Sequence, residues 1–312
     1  MKIAFVFPGQ GSQTVGMTAG LADSPVAQKV LDRADDALGE PLTKLMAEGP
    51  AENLNFTVNT QPAILAASCA VYEAWLAAGG VKPALAAGHS LGEYSALTAA
   101  GVFTLEEAVR LVRFRANAMQ EAVPVGVGAM AAVIGLTDET VEAACASVRA
   151  DEVVEPVNFN SPGQVVIAGH KAAVERACEA CKAVGAKRAL MLAVSGPFHS
   201  QLLKGAAEKL AGRLAEISVN TPQFDVIANV DAEFEADADV IRRNLALQAA
   251  SPVQWVKTVR KMKAEGVTHV VECGPGRVLT GLIRRIDPTL ETANISSAAS
   301  IAELVAKDGF HV

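Results

Sequence analysis

Short apolar segments alternate with longer helical segments along most of the chain, and this alternation limits the possible folds more than any other feature. The segments Ile3–Phe7, Ala84–His89 and His269–Cys273 read as buried strands, and Leu105–Glu121 has helical periodicity. Apolar strands that alternate with helices are typical of a parallel sheet covered by helices. The chain is rich in alanine, glycine and valine with only 4% aromatic residues, which suits helices packed closely on such a sheet. Further predicted elements are a strand at Asp225–Val230 and helices at Gln61–Ala78, Arg242–Leu247, Pro252–Glu265 and Val278–Ile286.

The middle of the chain has a different order of elements. We predict strand Gly128–Ile134, helix Thr137–Arg149, strands Val153–Asn160 and Gln164–Gly169, helix Lys171–Val184 and strand Lys187–Val194. The order β-α-β-β-α-β is that of a ferredoxin-like unit. We therefore predict a large α/β domain from residues 1–124 and 196–312, with a small ferredoxin-like domain inserted at 125–195. A pocket between two domains is a common place for a ligand.

Composition excludes several classes of function. The 312 residues carry 27 basic and 34 acidic side chains, a formal charge of −7, which disfavours nucleic-acid binding. No stretch of about 18 apolar residues predicts a membrane span. The five cysteines are scattered, so we expect no disulfide framework and a cytoplasmic location. Cys178-x-x-Cys181 has no second pair at zinc spacing and shares an apolar helix face with its neighbours, so we expect packing and no metal site.

The strongest local signal is Gly88-His89-Ser90-Leu91-Gly92, which follows an apolar strand and precedes a helical pattern. This is the G-x-S-x-G nucleophile elbow in its strand–turn–helix context. Bulky residues at 88 and 92 would crowd the turn, and the helix behind Ser90 offers free N–H groups. The alternative is an ordinary loop, since these residue types are common in turns.

A serine hydroxyl needs a base, and His199 is the best of the five histidines. It lies in Ser195-Gly196-Pro197-Phe198-His199-Ser200, where the inserted segment returns to the large domain. His89 is adjacent to Ser90 on a sharp turn, where neighbouring side chains diverge. The alternative for His199 is a structural histidine.

Seven motifs in order resemble the malonyl-CoA:acyl carrier protein transacylases of fatty-acid synthesis and the related acyltransferase domains of polyketide synthases. The resemblance covers nearly the whole chain and includes the two-domain architecture, with a large domain similar to α/β-hydrolases. The motifs are Phe7-Pro8-Gly9-Gln10-Gly11-Ser12-Gln13, Gly88-His89-Ser90-Leu91-Gly92-Glu93, Arg113-Phe114-Arg115, Asn160-Ser161-Pro162, Pro197-Phe198-His199-Ser200, Gln248 before Ser251-Pro252-Val253, and Glu272-Cys273-Gly274-Pro275-Gly276.

The resemblance implies a role for each matching residue. Ser90 would accept the malonyl group from malonyl-CoA as an ester and pass it to the phosphopantetheine thiol of acyl carrier protein, with His199 as acid–base and Gln248 orienting it. The backbone N–H groups of Gln10 and Leu91 would form the oxyanion hole. Arg115 would bind the malonyl carboxylate, and Asn160 would contact the acyl or pantetheine portion. No metal or other cofactor is implied; the coenzyme A thioester is the substrate.

Three other functions remain open at this stage. A serine esterase or thioesterase shares the elbow, although its order is Ser, then Asp or Glu, then His. Another acyl-CoA:carrier acyltransferase would share the whole constellation. A non-catalytic scaffold would leave Ser90 and His199 idle. The basic clusters at Lys182–Arg188, Arg242–Arg243, Lys257–Lys263 and Arg284–Arg285 read as solvated faces, some of which could dock a carrier protein.

Overall fold

The computed structural model describes all 312 residues. Its nine strands are β1 Ile3–Phe7, β2 Leu85–Gly88, β3 Gly128–Ile134, β4 Val154–Ser161, β5 Gln164–His170, β6 Arg188–Met191, β7 Asp225–Ile227, β8 His269–Cys273 and β9 Glu291–Ile295. Its thirteen α-helices are α1 Pro25–Leu38, α2 Leu42–Glu48, α3 Ala51–Asn55, α4 Thr57–Ala77, α5 Leu91–Ala99, α6 Leu105–Glu121, α7 Asp138–Val148, α8 Lys171–Ala183, α9 Lys204–Ala215, α10 Ala238–Gln248, α11 Trp255–Ala264, α12 Val278–Ile286 and α13 Ala298–Val305.

Five strands form a parallel sheet in the order β7-β2-β1-β8-β9. Each neighbouring pair runs parallel, and β1 and β2 are buried along their whole length. Apolar side chains on the two faces belong to separate core clusters. The prediction of a mixed α/β fold with a parallel sheet is therefore confirmed. No helix is both long enough and apolar enough to cross a membrane.

The remaining four strands form an antiparallel sheet in the order β4-β5-β3-β6. Along the chain its elements follow one another as β3-α7-β4-β5-α8-β6. Helices α7 and α8 contribute to a core with this sheet, and that core consists only of alanine, valine, isoleucine and cysteine. This sheet is built from one continuous stretch of chain that lies between β2 and β7 in the sequence, although these two strands are neighbours in the parallel sheet.

Several elements differ from the sequence prediction. Helix α4 begins at Thr57, four residues before the predicted start at Gln61, and Pro62 lies inside the helix. Strand β9 and the helices before residue 57 were not predicted; β9 contains polar residues and forms by pairing with β8 at the edge of the sheet.

The parallel sheet brings distant loops together at one edge. Phe7 is paired with Gly88 at the carboxyl ends of β1 and β2, and β7 lies on the other side of β2. The loops that follow these strands therefore meet above the same edge, which is where ligands bind in open α/β sheets. Helices α6 and α10 lie beside these loops and carry Arg115 and Gln248.

Candidate active site

Ser90 occupies a tight turn between β2 and α5. Its backbone has φ 52° and ψ −110°, a conformation that residues other than glycine seldom adopt. A Cβ at Gly88 would lie 1.8 Å from the Gly92 carbonyl carbon, and a Cβ at Gly92 would lie 2.0 Å from the Phe7 carbonyl oxygen. Both positions therefore require glycine, as the predicted nucleophile elbow demands.

Asn229, in the loop after β7, holds this turn in place. Its Oδ1 accepts from the Ser90 N–H at 2.7 Å, and its Nδ2 donates to the Gly88 carbonyl at 2.6 Å. Its own backbone N–H donates to Glu93 Oε2 at 2.9 Å. One buried amide thus pairs backbone groups on both sides of the turn, which offsets part of the strain at Ser90.

His199 reaches Ser90 from 109 residues further along the chain: Ser90 Oγ lies 2.7 Å from His199 Nε2. On the other side of the ring, Nδ1 lies 2.8 Å from the backbone carbonyl oxygen of Gln248. A carbonyl only accepts, so Nδ1 carries the proton and Nε2 is left as the acceptor for the serine hydroxyl. The structure brings together the two residues on which the sequence interpretation depends.

The ring of His199 is almost fully buried. Burial, and then the nearby Arg115 cation, lower its pKa to about 3. Because the pKa is lowered, the imidazole remains neutral at pH 7 and can accept a proton. No carboxylate bonds to its Nδ1, so the site is a Ser–His pair oriented by a backbone carbonyl.

The side chain of Gln248 bonds to other groups of the site. Its Nε2 donates to the Ser90 carbonyl at 2.9 Å and to Glu93 Oε2 at 2.8 Å. Its Oε1 accepts from Arg115 Nη2 at 2.7 Å. Gln248 therefore contacts His199 only through its main chain, while its amide links three other groups of the site.

Arg115 is a buried cation directed at the nucleophile. Its Nη2 donates to Ser90 Oγ at 3.1 Å, and its Nη1 donates to Gln61 Oε1 at 2.6 Å. Its guanidinium lies 5.2 Å from the ring centre of Tyr94, within cation–π range. Its Nε–H has no partner in the chain. A buried guanidinium with a spare donor and no carboxylate bonded to it can receive an anionic group.

These residues surround a cavity of about 120 Å³. Its polar lining residues are Gln10, Gln61, His89, Ser90, Arg115, Asn158 and His199, and its apolar lining residues are Leu91, Met119, Met130, Val166, Leu192, Val194 and Phe198. Both sheets contribute, since Met130 and Val166 lie on the antiparallel one. The backbone N–H groups of Gln10 and Leu91 donate to no other backbone group; Leu91 is the first residue of α5, where an N–H has no partner within the helix.

Asn160 is buried beside the cavity and is not part of its lining. Its Oδ1 lies 2.7 Å from His89 Nε2. The His89 ring lies 5.6 Å from the Trp255 ring, centre to centre, and lines the cavity. Burial lowers the pKa of His89. In this structure Asn160 therefore supports a residue of the cavity wall.

Sequence reasoning gave no role to four polar residues of the site: Gln61, Glu93, Asn229 and Glu235. All four are buried, with at most 2% of their surface exposed. A signal was present for Glu93, a charged residue in an otherwise apolar helix start, and for Asn229, a polar residue at the end of an apolar strand. Gln61 and Glu235 have no comparable signal, because their partners come from remote parts of the chain.

A larger groove of about 610 Å³ lies beside the turn between β4 and β5 and contains none of the cavity residues. Three basic side chains line it, Lys187, Arg260 and Arg285. They belong to three of the basic clusters noted in the sequence. No group of three or more His, Cys, Asp or Glu side chains has the arrangement to hold a metal ion.

Comparison with known proteins agrees over nearly the full length. The model of the acyl transferase domain family matches residues 4–309. The malonyl CoA-acyl carrier protein transacylase of Escherichia coli (strain K12) is 56% identical over 96% of this chain and 98% of its own length. That of Bacillus subtilis (strain 168) is 45% identical over 96% of this chain and 95% of its own.

Solved structures agree equally closely. The acyl-carrier-protein S-malonyltransferase of Burkholderia pseudomallei 1710b matches with a TM-score of 0.96 and 56% identity, over 97% of this chain and 99% of that one. A malonyl-transacylase solved in complex with its type II polyketide synthase acyl-carrier protein matches with a TM-score of 0.95 and 53% identity, over 96% and 98%.

Proposed function

The chain belongs to the acyl transferase domain family, and we propose that it transfers a malonyl group from malonyl-CoA to the phosphopantetheine thiol of acyl carrier protein. The relatives named as malonyl-CoA:acyl carrier protein transacylases match nearly the whole chain. One observation within the molecule carries the proposal: Ser90 Oγ lies 2.7 Å from the imidazole of His199 and 3.1 Å from the guanidinium of Arg115. A nucleophile, its base and a cation for the substrate's carboxylate thus share one cavity.

The first half-reaction forms an ester on Ser90. Oγ attacks the thioester carbonyl carbon while its proton passes to His199 Nε2. The tetrahedral intermediate then collapses, the carbon–sulfur bond breaks, and the leaving coenzyme A sulfur takes the proton from His199. The products are malonyl-Ser90 and free coenzyme A, so one difficult transfer is divided into two easier ones.

The second half-reaction reverses these steps with the carrier's thiol. His199 Nε2 takes the thiol proton, the sulfur attacks the ester carbonyl, and Ser90 leaves with the proton returned by His199. The bond from Nδ1 to the Gln248 carbonyl keeps the ring in the tautomer that both halves require.

The oxyanion of each intermediate is assigned to the N–H groups of Gln10 and Leu91. Both residues line the cavity next to Ser90, and neither N–H donates to another backbone group. Leu91 directly follows the nucleophile, as one donor does in other elbows. Losing one donor of this kind raises the barrier by about 2.7–4 kcal/mol.

Selection of malonyl over acetyl is assigned to Arg115. The malonyl group ends in a carboxylate, which a guanidinium binds through charge-assisted hydrogen bonds. Only neutral partners bond directly to Arg115, namely Gln61, Ser90 and Gln248, so no carboxylate of the chain competes for it. For Asn160 the bond to His89 supports a role in holding a residue that lines the cavity, and direct contact with the acyl or pantetheine portion remains a prediction.

We further propose the domain division of the sequence prediction, a catalytic domain of residues 1–124 and 196–312 with a ferredoxin-like domain at 125–195. The strand order β4-β5-β3-β6 supports it, since it is the order of that fold's four strands. Reaction through Ser90 and His199 needs no metal or other cofactor. A cytoplasmic location fits five free cysteines.

Intact-mass measurement after mixing with malonyl-CoA tests the function. Wild type should gain one malonyl group, and Ser90→Ala should gain none. Ser95→Ala is the matched control, because Ser95 lies on the same helix, is buried and has no hydrogen-bond partner; it should keep the adduct. No adduct on wild type would overturn the proposal, and an adduct that persists in Ser90→Ala would assign the nucleophile elsewhere.

The adduct's lifetime separates a transferase from an esterase or thioesterase. A transferase keeps malonyl-Ser90 intact in water and releases it when acyl carrier protein supplies its thiol. Adduct lost at the same rate with and without the carrier would identify a hydrolase.

A further inference from the structure

Two carboxyl groups meet in the protein interior behind Ser90. Glu93 is in the first turn of α5 and Glu235 follows β7; they are 0% and 1% exposed. The Oε1 atom of each is buried and has no hydrogen-bond partner, and each carboxyl group acts on the pKa of the other. A proton held between the two groups gives both Oε1 atoms a partner and removes the repulsion between two buried carboxylates.

The surroundings place the remaining negative charge on Glu93. Its Oε2 accepts from the Asn229 N–H and from Gln248 Nε2, at 2.9 and 2.8 Å. Glu235 Oε2 accepts only from Asn244 Nδ2, at 3.1 Å. More donors stabilise the ionised form, and Glu93 also lies at the positive end of α5. The shared proton therefore belongs to Glu235.

The pair supplies a negative counter-charge for Arg115. Arg115 is 1% exposed and forms no ion pair with any carboxylate in the chain. Gln248 lies between the two charges, with its Nε2 on Glu93 and its Oε1 on Arg115. Arginine only donates and a carboxylate only accepts, so this orientation of the amide is the one that satisfies both.

We infer that Glu93 and Glu235 are a positioning pair, in which one shared proton leaves a single buried negative charge. The amide of Gln248 connects this charge to Arg115 through its two hydrogen bonds. This inference rests on the proposed malonyl transfer and adds a residue set to it. The charge compensates the guanidinium at a distance and keeps it beside Ser90. Since neither carboxylate touches Arg115, the substrate's carboxylate can still bind there.

The pKa shifts agree with this arrangement. Burial raises the pKa of Glu93 to about 7, and burial together with Glu93 raises that of Glu235 well above its ordinary value. The other ionisable groups that act on the pair are Arg115, Tyr94 and Asp231. A raised carboxyl pKa in the folded state means that stability is lost as the pH rises from the unfolded value toward the folded one.

Three substitutions separate charge from shape. Glu235→Gln keeps the charge on Glu93 and replaces the shared O–H by an N–H donor. Glu93→Gln moves the charge to Glu235, one hydrogen bond further from Gln248. The double substitution removes the charge and preserves the volume. Glu233→Gln is the matched control, because Glu233 lies near Glu235 in sequence but is 65% exposed.

The expected order of kcat/KM for malonyl transfer follows from where the charge remains. Glu235→Gln should lower kcat/KM less than about threefold, Glu93→Gln should lower it roughly tenfold, and the double variant should lower it more than either. The reason is that a hydrogen bond to a charged group contributes roughly one to two powers of ten. Equal losses in the two single variants, or a double variant no worse than Glu93→Gln, would overturn the inference.

The shared proton has a readout that needs no substrate. The thermal unfolding midpoint of wild type should fall relative to that of Glu235→Gln as the pH rises from 5 to 9, and Glu233→Gln should follow wild type. A difference in unfolding midpoint between wild type and Glu235→Gln that stays constant with pH would show that no proton is shared. The malonyl adduct at Ser90 tests the proposed function separately, so failure of the pair and failure of the function can be told apart.

Discussion

Two buried regions of this molecule are stabilised by different interactions. The wall behind Ser90 consists of charged and amide side chains, among them Glu93, Arg115, Asn229 and Gln248, each at most 1% exposed. The core between the antiparallel sheet and its two helices contains 15 buried residues, all alanine, valine, isoleucine or cysteine. In the wall, stability depends on hydrogen bonds between buried polar groups; in the core, it depends on filling space.

The backbone shows the same contrast. Ser90 and His199 have positive φ, 52° and 66°, without being glycine. Conformations of this kind cost about 1–3 kcal/mol each, and both belong to the reacting pair. The apolar core contains no such residue. We therefore expect substitutions in the wall to change the chemistry, and substitutions in the core to change stability alone.

The largest effect in the wall is expected for His199→Ala, which removes the base. Malonyl transfer should fall roughly a thousandfold or more, the upper range of general acid–base catalysis. Gln248→Ala removes the amide but keeps the backbone carbonyl that orients the ring, so kcat should fall only about tenfold. Both values come from single-turnover acylation with malonyl-CoA. The reverse ranking would show that the Gln248 side chain, and not its carbonyl, orients the base.

Arg115→Ala should reduce malonyl transfer and acetyl transfer to different extents. It removes the cation for the malonyl carboxylate, so kcat/KM for malonyl transfer should fall by about a hundredfold. Acetyl transfer should fall far less, because acetyl has no carboxylate. Arg113→Ala is the control: Arg113 lies on the same helix and pairs with Glu40 at the surface, and its loss should leave both rates nearly unchanged. Equal losses for the two acyl groups in Arg115→Ala would remove the specificity role.

The sequence predicts the parts of the wall that carry local signals. Ser90 is found because a strand, two glycines and a helix surround it, and His199 because it lies where the inserted segment ends. The parallel sheet follows from alternating apolar strands. The order of the strands does not, because it depends on which distant segments pair.

Roles that depend on a second, remote residue could not be predicted. The resemblance implied that Gln248 orients His199; its backbone carbonyl makes the contact, and because every residue type offers a carbonyl, no residue pattern could have identified it. The meeting of Glu93 with Glu235 depends on how α5 lies against the loop after β7. Strand β9 was missed because its polar residues form a strand only at the sheet edge.

The smallest effect on malonyl transfer is expected from a substitution in the apolar core. Cys178 and Cys181 are buried, and burial raises the pKa of both thiols, that of Cys181 to about 11, so neither is a thiolate at pH 7. Cys181→Ala should lower the free energy of unfolding by about 1 kcal/mol through a small cavity and leave malonyl transfer within about twofold. Urea unfolding and kcat/KM measured on the same preparation check both. A large loss of transfer with stability intact would mean that this core acts on the cavity through Met130 and Val166, which line it from the opposite face of the same sheet. The separation between the two regions would then fail.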